Sequence, residues 1–127
     1  MMYLLDTHVA LWLLEGNEKL SQKAREIIFA AENEIYISIV SAWEIAIKVS
    51  LNKLDFEGGT DVFFSSVKKY EIDIFGIKNE HIIAVEKLPY IHRDPFDRLL
   101  VSTATVDELT IITADENIRK YGVMWTW

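Results

Sequence analysis

The chain contains no cysteine, two prolines and five glycines in 127 residues. Without cysteine no disulfide can form, which is compatible with a reducing compartment. The scarcity of proline and glycine leaves no linker, repeat or low-complexity stretch, so residues 1–127 read as a single domain, long enough to bury a core without staples. No apolar run approaches the roughly 18 residues that a membrane-spanning helix requires. The N-terminal segment MMYLLDTHVALWLLEG lacks leading basic residues, is interrupted by Asp6 and His8, and carries no small-residue cleavage site. It reads as folded structure, and a cytoplasmic location with no membrane partner is expected. Positive charge is also in deficit, with 13 Lys and Arg against 20 Asp and Glu and a net charge of -7. That is the wrong sign for a protein that lives on phosphate attraction, so any nucleic acid must be met locally. Divalent cations bound to clustered carboxylates would reverse part of the charge.

Half of the residues are hydrophobic and 26% are charged, as in a globular protein. Their order predicts alternating strands and helices. Tyr3–Leu5 is a short apolar strand feeding a helix that Gly16-Asn17 stops. Ser21 caps a second helix through about Glu32, and Ile35–Ile39 reads as a strand. Ser41-Ala42-Trp43-Glu44 matches the S-x-x-E capping box and opens a helix toward Leu51. A helix from Thr60 to Tyr70, a strand over Ile72–Ile77 and a helix from Asn79 to Lys87 follow. Asp94-Pro95-Phe96-Asp97 combines an N-cap, an N1 proline and an acidic N3 residue, and starts a helix to about Glu108. Thr110–Thr113 forms a strand, Asp115 caps a short helix ending near Gly122, and Val123–Trp125 is a last strand. The alternation argues for an α/β fold with a mainly parallel sheet covered by helices on both faces.

In such sheets, sites form beyond the carboxyl ends of the strands. Asp6, Glu44 and Asp115 each follow an apolar run, and Asp97 opens a helix at what would be the same edge. Helix N-termini favour acids without any chemistry, so each of Glu44, Asp97 and Asp115 alone is explained by capping or by the helix dipole. Asp6 is different, because a carboxylate among the large apolar residues of YLLDTHVALWLL is costly unless paired or coordinated. Carboxylates gathered at one edge would repel each other unless a divalent cation compensated them, and hard oxygen donors suit magnesium or manganese.

These residues also carry a resemblance. LLDTHVALW, ISIVSAWEIAIK, HRDPFDRLLVSTA and LTIITADENI, in this order and spacing, resemble the PIN-domain family, and DPFDRLL resembles the VapC-type toxins of bacterial toxin-antitoxin pairs. The resemblance implies a three-layer α/β/α sandwich with a central parallel sheet. It implies a magnesium- or manganese-dependent endoribonuclease acting on RNA, a homodimer, and inhibition by a cognate antitoxin protein. Asp6, Glu44 and Asp97 match the family's main metal acids, and Asp115 falls where the family carries a fourth acid or an asparagine. Thr7, Ser41 and Thr113 resemble hydroxyls beside those acids, although Ser41 is equally explained as an N-cap and Thr113 by strand propensity.

Other residues have plainer readings. His8, His81 and His92 show no zinc-ligand spacing and read as surface or packing residues. His92-Arg93 is expected to be an exposed loop pair, with RNA contact the alternative, and Arg98 and Lys48 are read in the same way. Trp12 and Trp43 are expected to pack rather than stack on bases, and Trp125 and Trp127 to pack at the tail. Two rival functions fit the fold class. A receiver-like signalling domain would want paired acids after the first strand, where Asp6 is followed by Thr7-His8. A catalytically silent PIN-fold binding module would not need all four acids.

Overall fold

Met2–Leu5 forms β1, whose residues alternate between two buried faces and which becomes the central strand of the sheet. The computed structural model describes residues 1–127. After β1 come α1 (Thr7–Glu15), α2 (Gln22–Phe29), β2 (Glu34–Ser38), α3 (Ile39–Ser50), α4 (Gly59–Lys69) and β3 (Asp73–Phe75). The second half contains α5 (Asn79–Glu86), α6 (Pro95–Val106), β4 (Thr110–Ile112), α7 (Glu116–Arg119) and β5 (Trp125–Thr126). The sheet order is β3-β2-β1-β4-β5, and every pairing is parallel. Leu5 lies opposite Ile37 on one side and Ile112 on the other.

Period-two alternation separates the core into two layers. Tyr3, Leu5, Ile35, Ile37 and Ile112 face Val9, Leu13 and Ile45 and the fully buried Phe63. Leu4 and Ile111 face the other way, onto Leu100, Val101, Ala104 and Ile118. Helices therefore cover both faces of the sheet, giving the expected three-layer α/β/α sandwich.

Several boundaries differ from the sequence expectation. Helix α3 starts at Ile39, and its N-cap is Ser38, whose Oγ accepts from the Val40 N–H at 3.0 Å. Ile39 is thus helical rather than the end of a strand. Two serines three residues apart compete for the cap, and Ser38 wins because it ends β2, while the Ser41 hydroxyl is held by Thr7. The S-x-x-E sequence lies inside the helix. This phase also corrects Trp43, which falls between the buried Ala42 and Glu44 and is 60% exposed, touching Phe96 edge-on. Trp12 packs against Trp127 as expected, while Trp125 is exposed with the Arg119 guanidinium over its ring. Helix α2 ends at Phe29, short of Glu32, and β5 falls at Trp125–Thr126, not Val123–Trp125. Gly16 closes α1 at φ 64°, a left-handed C-cap that favours glycine.

Two polar links fix the α5–α6 pair. The fully buried His81 accepts from the Lys78 N–H through Nδ1 at 3.0 Å, so its other nitrogen, Nε2, carries the proton that reaches Asp107 at the end of α6. Arg98 is 5% exposed and so is not free to meet RNA. Its guanidinium donates to the carbonyls of Val85, Leu88 and Pro89 and to Tyr121 Oη, and lies 4.1 Å over the Tyr90 ring. A buried cation without a carboxylate is tolerable there because carbonyl dipoles surround it. Arg98 therefore clasps the loop that leads into α6. Replacing Arg98 with Met should destabilise the protein by roughly 2 kcal/mol or more, since several carbonyls lose a charged donor at once, a loss measurable by urea unfolding.

Candidate active site

Asp6 leaves β1 with its backbone N–H still bonded to Ile112 O at 3.1 Å, then turns out of the strand and caps α1. Its two oxygens do different work. Oδ1 accepts from the His8 N–H at 3.1 Å, and Oδ2 accepts from Thr113 Oγ1 at 2.7 Å. The Thr113 contact crosses from the end of β1 to the end of β4, the point where the order of strands along the sheet reverses direction, which is where sites form in sheets of this kind. Asp6 is 2% exposed. Burial pushes its carboxyl above the ordinary range, the Thr113 and His8 hydrogen bonds draw it back in part, and Asp115 adds repulsion.

Glu44 sits in the second turn of α3, on the stripe shared by Ser41 and Lys48 at three- and four-residue spacing. Ser41 Oγ and Thr7 Oγ1 lie 2.7 Å apart and tie α3 to the start of α1. Glu44 Oε2 accepts from Lys48 Nζ at 2.6 Å, whereas Oε1 is buried without any hydrogen-bond partner.

Asp97 occupies the first turn of α6 behind the cap residue Asp94, whose Oδ1 accepts from the N–H groups of Phe96 and Asp97. Burial pushes the Asp97 carboxyl up to about 8, reinforced by repulsion from Asp94, Asp6, Glu44 and Asp115. The charges of those acids reach Asp97, but the ligand atoms that gather closely around it are those of His92 and Asp94, not those of Asp6, Glu44 or Asp115. Asp115, half-buried, caps α7 through the Asn117 N–H at 2.8 Å. Its own N–H donates to Thr113 Oγ1 at 2.9 Å, so one threonine hydroxyl links Asp115 to Asp6.

Sequence reasoning missed His92. It is not an exposed loop residue, because Tyr121 Oη accepts from its backbone N–H at 2.9 Å and brings Nε2 to 3.1 Å from Asp97 Oδ2. Arg98 holds the same tyrosine. Donor atoms of His92, Asp94 and Asp97 lie within 4.8 Å of one another, a group able to hold a metal. The one available signal was its place five residues before Asp97, and the fold-back that uses this spacing depends on Tyr121, 29 residues away.

Lys48 compensates one oxygen of Glu44, but the buried Oε1 has no partner, and the Asp6 and Asp97 carboxyls resist ionisation. Oxygen donors of this kind fit a hard divalent cation.

The family model of the PIN domain matches residues 3–124. The chain belongs to the PIN-domain family. No curated protein matches it by sequence. Among solved structures, VapBC2 from Rickettsia felis, bound to a DNA fragment from its promoter, is similar at a TM-score of 0.74 and 15% identity, covering 99% of this chain and 98% of that one. DNA-bound VapBC from Salmonella typhimurium gives 0.71 and 12%, covering 99% and 97%. FitAcB from Neisseria gonorrhoeae gives 0.68 and 17%, with the same coverage. At these identities the likeness is one of fold.

The raised carboxyls set the sign of a pH effect in the metal-free PIN domain. A group whose folded-state value of about 8 lies above the unfolded 3.8 binds its proton more tightly in the fold. Its contribution favours the fold most below 3.8 and is lost as pH rises toward 8, levelling above it. The melting temperature in EDTA should therefore fall between about pH 5 and pH 8.5, and the fall should be shallower in Asp97→Asn. A rising profile in that window would contradict the crowding described here.

Proposed function

We propose that this PIN domain is a VapC-type endoribonuclease in which Asp6, Glu44 and Asp97 hold magnesium or manganese, with Asp115 contributing from the edge. The observation that carries the reading is Asp97, whose ionisation is opposed by burial and by the other acids at the end of the central strands. A divalent ion bound there supplies charge compensation, polarisation of a phosphodiester and activation of a water for hydrolysis. The chain's own residues do the positioning. Thr113 orients Asp6 and Asp115, the Thr7–Ser41 pair joins α1 to the helix that bears Glu44, and His92 Nε2 faces Asp97 Oδ2.

The receiver-like alternative has against it the strand order 3-2-1-4-5, since a receiver uses 2-1-3-4-5. The partners follow from the VapC resemblance: an RNA substrate, a second copy of the chain and a cognate antitoxin protein. Exposed apolar side chains, among them Trp43, Ile82, Ile83 and Tyr90, offer surface for protein contacts.

Asp97→Asn should lower cleavage of total RNA in magnesium or manganese by roughly a hundredfold or more, while raising the melting temperature in EDTA at pH 8. Asp6→Asn should abolish cleavage equally but leave stability nearly unchanged, because Asp6 also serves as a cap. Asp61→Asn, in the exposed first turn of α4, is the control. It should lose about 0.3 to 1 kcal/mol of dipole energy and keep full activity. Asn variants of Asp6 and Asp97 that still cut RNA would end the nuclease assignment at these residues.

A further inference from the structure

Lys48 stands where two environments meet. Its ammonium, 2.6 Å from Glu44 Oε2, forms an ion pair that one turn of α3 produces by its own geometry. The lysine side chain is 38% exposed and the glutamate 3%. Lys48 lies at the same time on a pocket of about 200 Å³ together with Thr7, His8, Leu11, Glu44 and Lys53. The chain beyond α3 folds back onto this pocket, because the N–H groups of Lys53 and Leu54 both donate to Lys48 O, at 2.8 and 3.2 Å. Lys53 is exposed and takes part in none of the ion pairs, and the His8 side chain is 63% exposed. Two lysines and His8 therefore share one pocket with Glu44, in a chain of net charge -7.

We propose that Lys48 is the exchangeable counter-cation of the site: it neutralises Glu44 while no divalent ion is bound, and on metal binding it turns into the adjoining pocket and, with Lys53, binds a phosphate of the RNA strand. The inference rests on the metal-dependent ribonuclease reading above. Lys48 holds Glu44 Oε2 and leaves the buried Oε1 to a divalent ion, so two cations on one carboxylate repel each other at short range and the ion holds the larger charge. The four-carbon lysine stem allows the head group to move while α3 stays in place. A strand phosphate beside uncompensated carboxylates is repelled, so the pocket becomes attractive to it only when the acids are occupied. Metal and strand then strengthen each other's binding, as linkage requires.

The test measures two affinities in the folded full chain, Mn²⁺ by calorimetry and a labelled phosphorothioate RNA of about ten nucleotides by anisotropy in saturating Ca²⁺. Lys48→Met should bind Mn²⁺ about 3- to 10-fold more tightly, the equivalent of losing a competing ion pair. The same variant should bind the RNA more weakly, with the salt slope reduced by about one. Lys48→Arg should stay near the parent in both, and Lys53→Met should weaken RNA binding without moving the Mn²⁺ affinity. A purely structural lysine would weaken both ligands together, so opposite directions are the signature of exchange. Unchanged or weaker Mn²⁺ binding by Lys48→Met, or unchanged RNA binding, overturns the proposal. Competition by inorganic phosphate at the oligonucleotide's own concentrations overturns the strand assignment. If the parent chain binds no Mn²⁺ at all, the metal reading falls and takes this inference with it.

Discussion

Carboxylates buried where the two central strands end impose the constraint around which the other features are arranged. Asp6 and Glu44 are each 2% exposed and Asp97 8%, and desolvation penalises the charged forms of Asp6 and Asp97. Apolar packing in the two core layers keeps them in place: Leu5, Ile37 and Ile112 on one side of the sheet, Leu4 and Ile111 on the other. Those layers set the direction of β1 and β4, and hence the spot where Asp6 and Thr113 meet.

The acids also serve the fold, which divides the labour between their oxygens. Asp6 caps α1 with one oxygen and takes the Thr113 hydroxyl on the other, and Asp115 caps α7 while its N–H reaches the same threonine. Capping is therefore compatible with the site roles proposed for these residues. Asp97 and Glu44 are the exceptions, because Asp94 caps the helix of Asp97, and Ser38 caps that of Glu44 and leaves the glutamate free of that duty. Its only hydrogen-bond partner is Lys48, and one oxygen has none.

Positive charge is scarce and used at specific places. Arg98 goes into the interior and holds carbonyls together with Tyr121, the residue that positions His92 against Asp97. The lysines near the acids stand at the pocket rim. An acidic chain can meet a polyanion under these conditions only at a point where its own carboxylates are compensated.

Much of this was legible in the sequence by itself. Alternating apolar runs determined the α/β class, because periods of 2 and 3.6 residues mark which segments can bury a face. Gly16, Ser21, Asp94 and Asp115 marked helix ends correctly, since caps are local chemistry, satisfied within three or four residues. The acids at strand ends were visible for the same local reason. Tertiary structure alone decided what depends on residues distant in the chain. Ser41 lost the cap because Thr7, 34 residues away, holds its hydroxyl, and Trp43 turned outward with the phase that Ser38 set. His92 joined Asp97 through a tyrosine 29 residues later, and Thr113 reached Asp6 across 107 residues. Local hydrogen bonds follow from sequence spacing, whereas these contacts exist only after the strands have taken their order in the sheet.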